Sequence, residues 1–498
     1  MSKLFKVAYL VLLIVLLIGC SDEQTGSEAK EDQAPDDLEA GGELKVAYPA
    51  QPQTLDPQLS GAIATTDIMW HVFEPLIGVN ENYEIEPMLA ESYEQSEDGK
   101  TITFYLRKGV LFHNGKEMTA EDVVASMDRW KGVSTFGQMQ LAHATFEAKD
   151  DYTVVLTLPE PMSTALYTMA YPFAGFAAVM PKEIVEVAGS DTGVDELIGT
   201  GPFKFVEWKQ DQYVLLEKFA DYQAVDKPPS MIIGKKAALV DQLYFMFTPD
   251  SSTQVSGLES GEYDIAHEVH RDSAERLENN PDITNYVYPD AYLVANFNKK
   301  KGLFTDVNAR LAVSAALDME AILKAAFTSD VYYKLNHSNM MYHQLELWYS
   351  DVGKDLYNIA DQERAKELLE KAGYQGETIT IITDREYEEH YNASVVIQEQ
   401  LEQIGMSVNL EVYDWATVLD KIYDEDAYDM YVMGLTPNPE PTGARYLNPE
   451  YAGWTNSPEL EPILSEFRSK PNLEAAKEVY DQLQQWYWDY MPAIRVGD

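Results

Sequence analysis

The chain of 498 residues contains a single cysteine, Cys20. With no second thiol it closes no internal disulfide, so its fold has to rest on its apolar core. Basic residues are scarce as well: 37 Lys and Arg stand against 83 Asp and Glu, a formal net charge of −46. A surface of that sign repels phosphate backbones, which argues against nucleic acid as a partner. It reads first as a solvated acidic exterior that maintains solubility. No long apolar run follows the first eighteen residues, so everything beyond the N-terminal segment is expected to be soluble. Core material is not what is missing, because hydrophobic residues make up 45% of the chain, an ordinary share for a globular protein.

Signatures of covalent chemistry are missing too. Gly257-Leu-Glu-Ser-Gly261 sets its serine one place too late for a G-x-S-x-G nucleophile elbow. His267-Glu-Val-His270 is not H-E-x-x-H, and it follows GEYDIA, which reads as a strand, where residues three apart face opposite sides. The two imidazoles therefore read as unrelated polar side chains. No P-loop and no G-x-G-x-x-G phosphate cradle is present. With 83 acids in the chain, a pair of carboxylates carries little catalytic signal. The expectation is a protein that is not an enzyme and has neither cofactor nor metal.

What is there begins at the N-terminus. Lys3 and Lys6 precede an apolar run from Val7 to Ile18, then Gly19 and Cys20; the run is well short of the ~20 residues a membrane-spanning helix needs. Leu17-Ile18-Gly19-Cys20 resembles the lipobox of bacterial lipoproteins. That resemblance implies a signal peptide over 1–19, cleavage before Cys20, and lipid on its thiol and new amino group. An ordinary signal peptide with an incidental cysteine is the alternative. A lipid-bearing Cys20 leaves no thiol for nucleophilic or metal chemistry. The acidic stretch up to Gly42 reads as a flexible tether, with 20–42 linking anchor to folded body.

Beyond the tether, strands are expected at Leu44–Ala47, Thr101–Leu106, Thr153–Leu158, Phe203–Val206 and Val214–Glu217. A helix opens at Thr119, with Asp122 in the capping-box position and Val123, Met127 and Trp130 on one face. Further on, Tyr292 to Asn298 reads as a strand. Asp306 and Asp361 cap helices, the first with Ala309, Ala312, Ala315 and Ala316 on its packing face and the second stopped by Gly373. Then strand Thr378–Thr383, helix Glu388–Ile404, strand Ser407–Val412, helix Ala416–Ile422 and strand Asp429–Met433 alternate, the signature of a parallel α/β sheet. Trp486, Tyr487, Trp488 and Tyr490 read as core or lobe-contact residues.

In such sheets ligands bind outside the carboxyl ends of the strands. Those ends carry Asp384 to Tyr387, Tyr413-Asp414-Trp415, and Gly434-Leu-Thr-Pro-Asn-Pro-Glu-Pro-Thr-Gly443. The last has prolines at 437, 439 and 441 between two glycines. Aromatic rings, charge and stiff backbone on one edge are the mixture of a pocket wall.

Several stretches, in order, resemble the extracytoplasmic solute-binding proteins of peptide-type ABC importers, a family that also includes nickel, opine and oligosaccharide binders. They are TLDP (54–57), FEPLI (73–77), the long block 88–126, GTGPFKFVEW (199–208), SGEYDIA (260–266), LFTDVNARLAVSAALD (303–318), AKELLEKAGY (365–374) and YDMYVMG (428–434). The resemblance implies a two-lobed periplasmic-binding-protein-like α/β fold with a ligand cleft between lobes. It divides the chain into a discontinuous first lobe (43–62, 178–285 and 489–498), an inserted subdomain (63–177) and a second lobe (286–488). Members commonly continue some tens of residues past the position of Asp498, so a reduced first lobe is expected. The implied partners are a peptide or other small polar solute, a membrane permease and, indirectly, its ATPase. The implied protein is a monomer, lipid-anchored outside the cell, on a Gram-positive surface rather than in a Gram-negative periplasm.

By the same likeness, Ser60, Gly61 and Ala62 touch the ligand and Trp415 lines the cleft. The strand-end loops add Tyr387, Asp414 and Asn438. Peptide binders place an aspartate for the α-ammonium a few residues beyond a Gly-Trp pair; here Leu435 follows Gly434 and no acid stands at that place. Three alternatives remain: Glu440 meets the ammonium, Arg445 meets a carboxylate, or the ligand is not a peptide. A surface-anchored sensor or adhesin, and a hydrolase, are the competing functions.

Overall fold

The computed structural model describes residues 41–498, apart from 173–174, 189–192, 271–272, 289–290 and 439. Cys20, the apolar run before it and nearly all of the tether lie outside the described residues. Two five-stranded sheets carry the architecture. The first is ordered Ile265–Ala266, Glu43–Tyr48, Gln242–Phe247, Tyr213–Lys218, Phe203–Lys209. Glu43–Tyr48 runs parallel to its two neighbours and the other pairs are antiparallel. One sheet thus closes segments far apart in the chain.

Between those segments stands a four-stranded antiparallel sheet ordered Ala90–Gln95, Thr101–Leu106, Thr153–Thr157, Thr145–Asp150. Helix Ala120–Val133 covers it. The Asp122 carboxylate accepts from the Thr119 N–H (2.9 Å) and hydroxyl (3.0 Å), as the capping-box spacing foretold. Val123, Met127 and Trp130 are fully buried, one helical stripe against the strands.

The second sheet is ordered Ser407–Tyr413, Thr378–Asp384, Met430–Leu435, Tyr292–Phe297, Ala493–Gly497. Its first three strands are parallel, as expected, and the last two run antiparallel to their neighbours. Asp306 and Asp361 cap helices Val307–Ala316 and Gln362–Lys371; Ala309, Ala312, Ala315 and Ala316 are buried. Gly373 sits at φ 78°, the left-handed stop expected of it.

One expectation is corrected. Residues 489–498 do not rejoin the first lobe, because Ala493–Gly497 pairs with Tyr292–Phe297 in the second sheet. The preceding helix, Leu473–Tyr490, packs Leu483, Trp486, Tyr487 and Trp488 into that sheet's own core. A short, wholly buried strand after Met491 therefore reaches the nearest free edge.

Candidate functional site

The strands that build the site end at one edge. Asp384 and Tyr413 are register partners at the carboxyl ends of two parallel strands, and Gly434 lies near the end of the third. Each turn then enters a helix. Tyr387 precedes Glu388–Gln403, and Asp414 precedes Trp415–Lys421. The turns meet: the Tyr387 and Trp415 rings lie 5.2 Å apart, edge to face. His390, in the first turn of its helix, packs 4.9 Å from Tyr387 and 5.7 Å from Trp415. The Trp415 N–H reaches Glu386 Oε1 at 3.4 Å. Tyr387 is 44% exposed and Trp415 is half-buried, so both rings pack against one another and still present surface at this edge.

Behind the rings His390 is 3% exposed. Its Nδ1 lies 2.7 Å from Asp384 Oδ2, and its Nε2 accepts from the Gly434 N–H at 2.7 Å. Asp384 Oδ1 accepts from the Tyr387 N–H at 2.9 Å. Reading the sequence alone missed this pair. The available signal was an acid at a strand end followed, one turn into the next helix, by a histidine.

The loop 436–443 is held from several sides. Tyr171 donates to the Pro437 carbonyl at 3.2 Å, Gln344 Nε2 to the Asn438 carbonyl at 2.7 Å, and Asn438 Nδ2 to the Tyr292 hydroxyl at 3.2 Å. Asn438 is half-buried at the site, and Arg445 is exposed beside it, reaching Thr436 Oγ1 at 3.4 Å.

Two expected ligand acids are otherwise engaged. The Asp414 carboxylate caps its helix through the Thr417 N–H (3.0 Å) and hydroxyl (2.7 Å). Glu440 is 4% exposed and turns inward, accepting from the Thr442 N–H (2.6 Å) and hydroxyl (2.9 Å). Burial raises its pKa, and these bonds and Arg468 only partly offset that. The turn Pro441–Gly443 uses that carboxylate as its cap, which is why it faces the backbone and not the edge.

The expected contacts at 60–62 lie in a turn of their own, after the first strand of the first sheet. In the turn 60–62, Ser60 Oγ accepts from the Ala62 N–H at 3.1 Å and the Thr65 hydroxyl at 3.2 Å, leaving Gly61 and Ala62 exposed. Nearby, Tyr48 donates to Asp67 at 2.8 Å and stacks 4.8 Å from His267, whose Nε2 lies 3.5 Å from Asp67. His267 is thus a partner of Tyr48 and Asp67. Burial raises the Asp67 pKa. The Tyr387 phenol is raised by burial first, then by Asp384, Glu389, Glu386 and Glu268. Glu268, which follows the first sheet's edge strand, thus stands within charge reach of Tyr387. Among the described residues, no group of three or more His, Cys, Asp or Glu side chains is arranged to hold a metal, and no helix is long and apolar enough to cross a membrane.

The family profile of bacterial extracellular solute-binding proteins, family 5 (middle), matches residues 84–457. The chain is 28% identical over 452 residues to a probable peptide ABC transporter periplasmic-binding protein of Sinorhizobium fredii, covering 86% of this chain and 83% of that one. It is 27% identical to the dipeptide-binding protein of Escherichia coli, covering 90% and 87%. Among solved structures, an ABC transporter substrate-binding protein of Listeria monocytogenes superimposes with a TM-score of 0.79 at 24% identity, covering 92% of each chain.

Proposed function

The chain belongs to the bacterial extracellular solute-binding proteins of family 5, and from that membership we propose how it works. It captures a peptide or other small polar solute outside the cell and delivers it to the permease of an ABC importer, whose ATPase supplies the energy. It performs no covalent chemistry. The observation that carries this reading is the edge where Tyr387, Trp415 and, through His390, the start of the loop 434–443 come together, with Glu268 of the first sheet's side within charge reach of Tyr387. Relatives whose names specify dipeptide and glutathione favour short peptides as ligand. The engagement of Glu440 and Asp414 elsewhere leaves the ammonium without the acid that peptide binders use, so other small polar solutes stay within the proposal.

The division into a first lobe with an inserted subdomain and a second lobe closing over ligand belongs to the same reading. A ligand stabilises the closed arrangement only through its preference for closed over open. Lipid on Cys20 would keep the binder beside its permease and raise their effective concentration; stable anchoring takes more than one acyl chain. We place the protein as a monomer on the outer face of a Gram-positive membrane. Loss of palmitate labelling in Cys20→Ser, with release of the protein to the medium, checks the anchor; labelling that persists refutes it.

Native mass spectrometry of the untagged protein starting at Ser21 tests the main reading. The expected result is a co-purified small molecule that raises the melting temperature when added back. At a hundredfold excess over Kd that shift corresponds to about 3 kcal/mol. Solute uptake unchanged by deletion of the gene would defeat the transport claim and favour a sensor.

A further inference from the structure

The third parallel strand, Met430–Leu435, needs something at its end that the sheet does not provide. Its parallel neighbour Thr378–Asp384 pairs with it only through Ile381 with Met430 and Ile382 with Tyr431. On its other side Gly434 is matched with Leu293, yet its N–H points to His390 Nε2 at 2.7 Å. An imidazole nitrogen thus stands where the next strand's carbonyl would have been. An N–H shielded from water and left without an acceptor costs on the order of a lost hydrogen bond; this one is part-buried and sits where the chain leaves the sheet for the loop 436–443.

Nε2 accepts there only if it carries no proton, so the proton must be on Nδ1, facing Asp384 Oδ2 at 2.7 Å. The other Asp384 oxygen is held by the Tyr387 N–H at 2.9 Å. The carboxylate is therefore fixed at both ends: one oxygen sets the turn that carries Tyr387, the other sets the tautomer of His390. We propose that His390, locked by Asp384, is the positioning residue that fixes where the 434–443 loop departs and how Tyr387 and Trp415 are presented. This deepens the proposed function and rests on that edge being the ligand-facing wall.

The arrangement makes an uncommon demand on substitution. In Asp384→Asn the Tyr387 N–H still requires the amide oxygen, so the NH2 group must face His390 Nδ1. That nitrogen then becomes the acceptor, the ring proton moves to Nε2, and Nε2 can no longer accept from Gly434. A nearly isosteric change inverts the tautomer. His390→Gln sets an amide oxygen near the place of Nε2; His390→Asn sets its amide near Nδ1 and leaves Gly434 without an acceptor.

The test uses the protein from Cys20 onward and has two ligand-free readouts. One is nitrogen NMR of labelled histidine, and the other is hydrogen exchange of a peptide spanning Met430 to Asn438. The wild type should show the Nδ1–H tautomer at His390 and slow exchange at Gly434. Asp384→Asn should show the Nε2–H tautomer and exchange at least tenfold faster; His390→Asn should be equally fast, and His390→Gln should restore most of the protection. If His390→Gln and His390→Asn exchange alike, or Asp384→Asn keeps the wild-type tautomer, the ring merely fills space and the proposal fails. Trialanine binding is measured in parallel, with Kd expected to rise at least tenfold in Asp384→Asn. If trialanine fails to bind the wild type, that counts against a peptide ligand, and exchange at Gly434 still decides the tether.

Discussion

Glu440 and Trp415 stand in the same region of the sequence and have opposite fates. Glu440→Ala removes a buried carboxylate that accepts from the Thr442 N–H and hydroxyl, so it should lower stability by about 1–3 kcal/mol. Urea titration checks this, and ligand affinity should be unchanged once the protein is fully folded. Trp415→Ala removes a half-buried ring that meets Tyr387 and His390. It should leave the urea midpoint nearly in place and weaken binding of the co-purified ligand at least tenfold, equivalent to about 1.4 kcal/mol; calorimetric titration measures it. Unchanged affinity would take Trp415 out of the site. The position of Trp415 on this edge was legible because three parallel strands dictate which loops share it. Glu440 was not, because a sequence shows a charge but not its direction. The readable clue was local: Glu440 precedes Pro441 and Thr442, the spacing of a capped turn.

At the scale of elements, the stretches by which the chain resembles its family are mainly joints. Asp56 of TLDP is buried with Arg129, Nη2 to Oδ2 at 2.6 Å, and Gln58 Nε2 donates to the carbonyls of Ser126 and Ala178. Glu74 of FEPLI accepts from the Thr200 hydroxyl at 2.9 Å and the Tyr222 hydroxyl at 2.8 Å, so FEPLI and GTGPF are two sides of one contact. Gly199 is required there: a Cβ would lie 2.1 Å from the Val72 carbonyl oxygen. Arg129→Ala leaves the Asp56 carboxylate buried and unpaired, and should cost about 3–5 kcal/mol. A double-mutant cycle with Asp56→Asn should recover part of that loss; strict additivity would show that the pair is not coupled. Most expected strands and helices end within a residue or two of the observed ones because period and caps are local, but Phe203–Val206 runs on to Lys209 and GEYDIA is a strand only at Ile265–Ala266. The place of Ala493–Gly497 was not, since an edge is chosen by what packs beside it.

Across the whole molecule, cores that look separate in sequence are shared. The cluster under the four-stranded sheet also takes in Met340, Trp348, Phe467, Ala476, Val479 and Tyr480. Backbone contacts follow, Ser163 N–H to the Arg468 carbonyl at 3.0 Å among them. Such sharing predicts that destabilisation at one joint is felt globally, and His113 is one joint at which pH enters. It lies in the long block 88–126 and bridges to the GTGPF turn. Its Nε2 donates to the Gly201 carbonyl at 2.9 Å and its Nδ1 accepts from the Gly199 N–H at 3.3 Å. The second bond needs an unprotonated Nδ1 and hence a neutral ring, and burial, only partly offset by the bond to Gly201, lowers its pKa from the ordinary 6.5 to about 4. As pH falls below 6.5 the unfolded chain takes up this proton first. The stability this group contributes is therefore full above that pH, is lost progressively down to about 4, and changes no further below. Buried acids such as Asp67 and Glu440, raised by burial, act with the opposite sign, so the total curve does not isolate one group. The difference between wild type and His113→Gln does. Urea unfolding at pH 7, 6, 5 and 4.5 should show the variant less stable at pH 7. The gap should narrow by on the order of 1 kcal/mol per pH unit near pH 5. A gap constant from pH 7 to 4.5 would mean that the folded protein protonates His113 as readily as the unfolded chain does. The joint between FEPLI, GTGPF and the long block would then have to tolerate a buried charge and a Gly199 N–H facing a protonated Nδ1.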